Sequence, residues 1–122
     1  MRLLSESEFV AAIARSERGN TEASMAIAEH YLANNLREEA KKYYVLAAKQ
    51  GSSAAAGAAA VLYAEDGANK EAVEWLRIAC RAGNKLACTY LSIAYLGGQM
   101  GLEPDKEKAA EYGRLGDPPF AE

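Results

Sequence analysis

The chain repeats itself every 32 residues, and this constrains the fold more than any other feature. Gly19, Gly51 and Gly83 are spaced by 32, as are Ala23, Ala55 and Ala87, and Tyr31, Tyr63 and Tyr95. Ala40 pairs with Ala72, Tyr43 with Trp75 and Ala47 with Ala79 at the same shift. Five residues are then inserted within Leu96–Asp105, and Ala72 aligns with Ala109 and Trp75 with Tyr112 at a shift of 37. A period of this length marks stacked supersecondary units, none of which can bury its apolar face alone.

Composition decides what the unit is made of. Alanine fills 26 of the 122 positions, while valine and isoleucine together fill 8. Alanine loses least on entering a helix, and β-branched residues suit strands, so the unit is a helix pair. In unit one, helix A is expected at about Thr21–Asn34, capped by Asn20 or Thr21. Helix B is expected at about Arg37–Gln50, with Gly51 at the left-handed position that ends it. Unit two follows with about Ser53–Glu65 and Lys70–Ala82. Unit three has about Asn84–Leu96, a glycine-rich loop to Pro104, and a short helix at about Asp105–Leu115. One further helix, about Ser5–Ser16, precedes them. Ser5 and Glu8 form its capping box, and Phe9, Ala12 and Ile13 form its inner stripe. The expectation is one all-α domain, a right-handed α-solenoid of about seven helices in antiparallel pairs. Its parts are an N-terminal helix (1–18), repeats at 19–50, 51–82 and 83–116, and a tail (117–122). Small residues at Ala23, Ala28, Ala40 and Ala47 and their copies let helices approach closely, and Tyr31, Tyr43 and Trp75 fill the gaps.

The segment Tyr95-Leu96-Gly97-Gly98-Gln99-Met100-Gly101-Leu102-Glu103-Pro104-Asp105-Lys106-Glu107-Lys108-Ala109-Ala110-Glu111-Tyr112 resembles the loop-and-helix signature of the Sel1-like repeat, a relative of the tetratricopeptide repeat. Ala40–Gly51 with Tyr43, and Ala72–Gly83 with Trp75, match its A-x-x-W-x-x-x-A-A-x-x-G segment. Units one and two lack the family's longer loop. The resemblance implies a protein–protein interaction module, an adaptor or scaffold with no chemistry of its own. Small stand-alone proteins of this kind also resemble immunity or antitoxin proteins that occlude a bacterial toxin. Some cysteine-rich relatives are linked to β-lactam binding, which makes a β-lactam-related hydrolase a remote third reading. The chain has neither a Ser-x-x-Lys nor a Ser/His/Asp set to support it.

Cys80 and Cys88 carry a second resemblance. Their spacing across a turn is similar to the bridged pair of secreted, cysteine-rich Sel1-like proteins, which implies a disulfide. On the residues alone, both cysteines equally fill alanine-like slots as buried thiols, and the reduced pair is the favoured expectation. The start of the chain has no signal-peptide core and no run approaches the roughly 20 apolar residues of a membrane span. A cytoplasmic protein is therefore expected, or a periplasmic or secreted one if a leader was removed and Cys80–Cys88 is oxidised.

Sites for chemistry are sparse. The single histidine, His30, has no second His beside it to make a zinc site and no cysteine near enough to form a nucleophile pair. Gly97, Gly98 and Gly101 lack the Lys-Ser/Thr of a phosphate loop and read as turn residues at positive φ. Glu38, Glu39, Glu71 and Glu74 open the B helices, where carboxylates suit the helix dipole. Net charge is −3, so nucleic acid is not an expected partner. No enzyme, cofactor, metal or membrane insertion is expected. The expected site is the concave face lined by the A helices: Glu22, Met25, Glu29, Leu32, Val61, Glu65, Leu86, Thr89, Ile93 and Leu96. This stripe is apolar with an acidic rim, and suits a protein or peptide partner. The first helix could instead cover it. At the C-terminal end Phe120 could fold back as a cap, or else a solenoid end could carry a two-fold homodimer.

Overall fold

A computed structural model describes residues 3–116. Among them are seven helices and no strand: α1 (Glu6–Glu17), α2 (Thr21–Ala33), α3 (Arg37–Lys49), α4 (Ser53–Glu65), α5 (Asn69–Arg81), α6 (Lys85–Gly97) and α7 (Lys106–Gly116). The tail and Phe120 lie outside the described residues. α2 packs on α3, α4 on α5 and α6 on α7, and each pair packs on the next through α3–α4 and α5–α6. The result is the α-solenoid of antiparallel helix pairs that the period predicts.

The period extends to the caps. Asn20, Ser52 and Asn84 are spaced by 32, and their side chains accept the backbone N–H of Ala23, Ala55 and Ala87 at 2.9, 3.0 and 3.1 Å. Each satisfies a donor that the first turn of its helix would otherwise leave unpaired. Leu36 and Ala68 enter α3 and α5 with no side-chain cap. The backbone N–H of Leu36 bonds the carbonyl of Tyr31 at 2.9 Å, and that of Ala68 bonds Tyr63 at 2.9 Å. The five inserted residues of unit three end on the same bond, from Asp105 N–H to Tyr95 O at 2.9 Å. The longer loop thus leaves α7 in the register of α3 and α5. Its glycines correct one expectation. Gly98 and Gly101 have positive φ, but Gly97 ends α6 in helical conformation, and Met100 takes the other left-handed position at φ 57°. Glu74 is a second correction. It lies beyond the first turn of α5, where it pairs with Arg77 at 2.9 Å.

α1 takes the place of a B helix. Phe9, Ala12 and Ser16 align by 32 with Lys41, Tyr44 and Ala48, and again with Val73, Leu76 and Cys80. α1 packs on α2 in the way α3 packs on α4, with Phe9 edge-on to Tyr31 at 5.5 Å. Lys41 lies over Tyr63 at 4.6 Å, and Arg77 donates to the Tyr95 hydroxyl at 2.6 Å. Within pairs, Tyr31 meets Tyr43 at 5.8 Å and Tyr95 stacks on Tyr112 at 5.7 Å. The repeated tyrosine therefore meets the preceding helix in all three units, and a ring of its own hairpin in units one and three. The repeated alanines at 23, 55 and 87, at 40, 72 and 109, and at 47 and 79 are all buried. No larger side chain fits where helices approach so closely.

A polar knot ties α1 to unit one. The buried Ser16 and Ser24 hydroxyls are 2.6 Å apart, and Ser24 donates to Gln50 Oε1 at 2.9 Å. His30 is half-buried and stacks near Phe9 at 4.8 Å, and its Nδ1 accepts the Leu4 N–H at 3.1 Å. This is a packed helix histidine that anchors the start of the described chain.

Candidate functional site

The A helices α2, α4 and α6 share one face of the stack, and a crevice opens on it between α4 and α6. It consists of two depressions of about 270 and 260 Å³ that share Val61, Leu76 and Tyr90. One is walled by Ala54, Gly57 and Ala58 against Asn84, Leu86 and Ala87. The other is walled by Ala60, Ala64 and Glu65 against Ile93, Ala94, Gln99 and Met100. Leu76 is the buried floor. Small residues on α4 make the hollow, and large ones on α6 make its far wall. Gly57 has a specific role here, since a Cβ at that position would come within 2.7 Å of Asn84 Nδ2. Asn84 uses that space to bond the Ser53 carbonyl at 3.2 Å while capping α6 with its oxygen. One side chain thereby sets the separation of the two walls.

The expected site residues divide into three groups. Val61, Glu65, Leu86 and Ile93 line the crevice. Thr89 and Leu96 are exposed on α6 but do not line it. Met25 and Leu32 on α2 are half-buried against the core formed with α3 and α4, and Glu29 is also half-buried. Glu22 sits in a separate polar notch with Glu8, Arg15 and Asn20. The apolar stripe is therefore open in units two and three and largely closed in unit one. The first helix does not reach the crevice, whose lining holds no α1 residue; in unit one it flanks Glu22 instead. Reading the sequence by positions missed Tyr90, Leu76 and Met100. Tyr90 carried a signal, since it stands where the two earlier units have Ala26 and Ala58.

One end of the crevice is charged. Glu65 pairs with Arg37 at 3.0 Å, Arg37 with Asp66 at 2.9 Å, and Lys41 with Asp66 at 2.6 Å and Glu38 at 3.2 Å. Hydrogen bonds from Lys41 and then Arg37 hold the Asp66 carboxyl below the usual carboxylate range. The same bond to Asp66 raises the Lys41 ammonium above its ordinary value, against the effect of its burial. These pairs tie the start of α3 to the end of α4, and they fix the Glu65 end of the crevice.

The other end rests on a covalent tie. Cys80 and Cys88 are joined in a disulfide with Cα atoms 4.8 Å apart. This corrects the expectation of two reduced thiols. Both slots are alanine-like, as expected, but they face each other across the turn between α5 and α6. The bridge closes the segment that carries Asn84, Leu86 and Ala87.

Three segments, 32–52, 66–84 and 85–115, match the Sel1 repeat, and together they cover more than half of the chain. The chain belongs to the Sel1 repeat family. The third match takes in α6, the longer loop and α7, where the loop signature was read. Among solved structures, the chain is similar to a Sel1 repeat protein from Oxalobacter formigenes, with a TM-score of 0.76 and 24% identity over 97% of this chain. The chain spans about half (51%) of that protein. No curated protein matches. Sel1 repeats generally act as protein–protein interaction modules and are typically non-catalytic scaffolds. Among the described residues no helix is long and apolar enough to cross a membrane, and no three His, Cys, Asp or Glu side chains cluster as a metal site.

Proposed function

We propose that this Sel1 repeat protein is a non-catalytic adaptor that captures an apolar segment of a partner protein in the crevice between α4 and α6. One observation carries the reading: two adjoining hollows with a buried leucine floor, open beside exposed Val61, Tyr90 and Ile93. Exposed apolar side chains grouped around a hollow support a contact site. A pre-shaped hollow also lowers the ordering cost of binding. The ion-paired end at Glu65 and the disulfide-backed end at Asn84 keep the walls in place before a partner arrives.

The test is capture from the native host with a photo-reactive residue placed at Ala64, an exposed crevice position, in the parent chain and in its Val61→Glu and Ile93→Glu variants. Both positions are exposed, so helicity by circular dichroism is expected to stay unchanged while cross-linked capture is lost. Leu32→Glu is unsuitable, because Leu32 packs on the core and its loss would unfold unit one. Undiminished capture in both crevice variants would discard the crevice.

A further inference from the structure

We infer that α6 carries a self-complementary stripe through which two copies of the chain pair antiparallel about a two-fold axis. The stripe shares Leu86 and Ile93 with the α6 wall of the crevice and adds Thr89 and Leu96, which lie outside it. Leu86, Thr89, Ile93 and Leu96 follow i, i+3, i+7, i+10 spacing, which is the seam of a coiled-coil helix. All four are exposed, with Leu86 at 61%, Ile93 at 52% and Leu96 at 63%. Side chains this apolar and this exposed are unusual in a row on a monomer.

The order of residues selects the second copy as occupant. Turning a copy about the midpoint between Thr89 and Ile93 sets Leu86 against Leu96 of the second copy and Ile93 against its Thr89. Large side chains meet at both ends and a small one meets a branched one in the middle, so the seam closes on itself. A two-fold contact requires this property of a single surface. Charge agrees with it. From Leu86 to Gly97 there is no charged side chain, so the antiparallel seam brings no like charges together. Lys85 comes to lie beside the C-terminal end of the other α6, where a cation is favourable. Area agrees too. Tyr90 and Leu115, both about half exposed, border the stripe, and α7 ends against Lys85 and Thr89. Six such side chains offer on the order of 500 Å² per copy, or about 1,000 Å² for the pair, at the lower bound of specific interfaces.

Sedimentation equilibrium of the whole chain from micromolar to several hundred micromolar tests this. A 13.1 kDa chain is expected to convert to a species of twice that mass as concentration rises. Leu86→Glu and Leu96→Lys are each expected to weaken pairing about 100-fold, because each buries an unpaired charge. The double variant Leu86→Glu/Leu96→Lys is expected to pair again, since the two substituted positions face each other only in the antiparallel register. Val61→Glu, on α4, leaves pairing intact, which separates this inference from the crevice reading. A monomer at the highest concentration overturns the inference. So does a double variant that stays monomeric while its circular dichroism is native.

Discussion

Reducing the Cys80–Cys88 bridge should lower stability by an amount that follows from the loop it closes. The bridged residues are eight apart in sequence, so the loop holds nine residues. Chain-entropy reasoning gives about 2.5 kcal/mol for a loop of that size at room temperature. An unfolding entropy of roughly 2.1 cal/mol/K per residue then puts the fall in Tm near 10 °C for a chain of this length. Reduction removes no atoms, so no cavity term enters, unlike substitution by alanine. Both cysteines are buried, so the native bridge should resist reductant until the turn between α5 and α6 opens. The assay is thermal unfolding by circular dichroism at 222 nm, with and without phosphine reductant present through the scan. Thiol titration of the unfolded protein confirms the redox state. The expected pair of melts is about 10 °C apart, with helicity equal at low temperature. Coincident melts in samples that titrate as oxidised and reduced would refute the reasoning, as would two free thiols in protein purified under oxidising conditions.

Two other outcomes follow from the packing and the ion pairs. Leu91→Ala, at a fully buried position in α6, is expected to cost about 2–5 kcal/mol by urea unfolding, because the hollow cannot collapse between α5 and α7. Asp66 is held below its ordinary value by Lys41 and Arg37, so its stabilisation is complete above the usual carboxylate range and is lost as pH falls through the lowered value. Wild type should therefore exceed Asp66→Asn in urea midpoint at pH 7 and converge on it in acid. A constant gap down to pH 2 would contradict that.

The fold was legible because a solenoid repeats its instructions. Gly19, Gly51 and Gly83 mark every return from a B helix to an A helix, and the alanine ladder marks every close approach. What a period cannot disclose is where one copy departs from the others. Met100 takes a left-handed position that a reading by residue type assigned to Gly97, because the closing bond from Asp105 to Tyr95 decides how the loop folds. The disulfide was obscured for a related reason. A cysteine in an alanine slot looks the same in sequence whether or not a second one faces it. Met25 and Leu32 were placed on the open face with Val61 and Ile93, since register gives the azimuth of a residue but not how far its neighbours lean over it.

That distinction separates what is constant in this protein from what is free to specify a partner. At the inner position of the A helices the three units carry Ala23, Ala55 and Ala87, with no variation. One residue before it they carry Glu22, Ala54 and Leu86; at the next turn Ala26, Ala58 and Tyr90; and further on Glu29, Val61 and Ile93. Packing dictates the first set, because any larger side chain would force the helices apart. It places no such demand on the others, which run Glu, Ala and Glu in unit one, Ala, Ala and Val in unit two, and Leu, Tyr and Ile in unit three, so that side chains grow larger and more apolar from α4 to α6. A hollow between α4 and α6 requires that order, with small residues on one helix facing large ones on the next. Reversing it would fill the hollow from α4 and leave α6 with nothing to form the far wall. Exchanging Ala58 and Tyr90 is therefore expected to preserve the helix stack while abolishing the crevice, so that loss of capture without loss of helicity would trace recognition to the gradient itself.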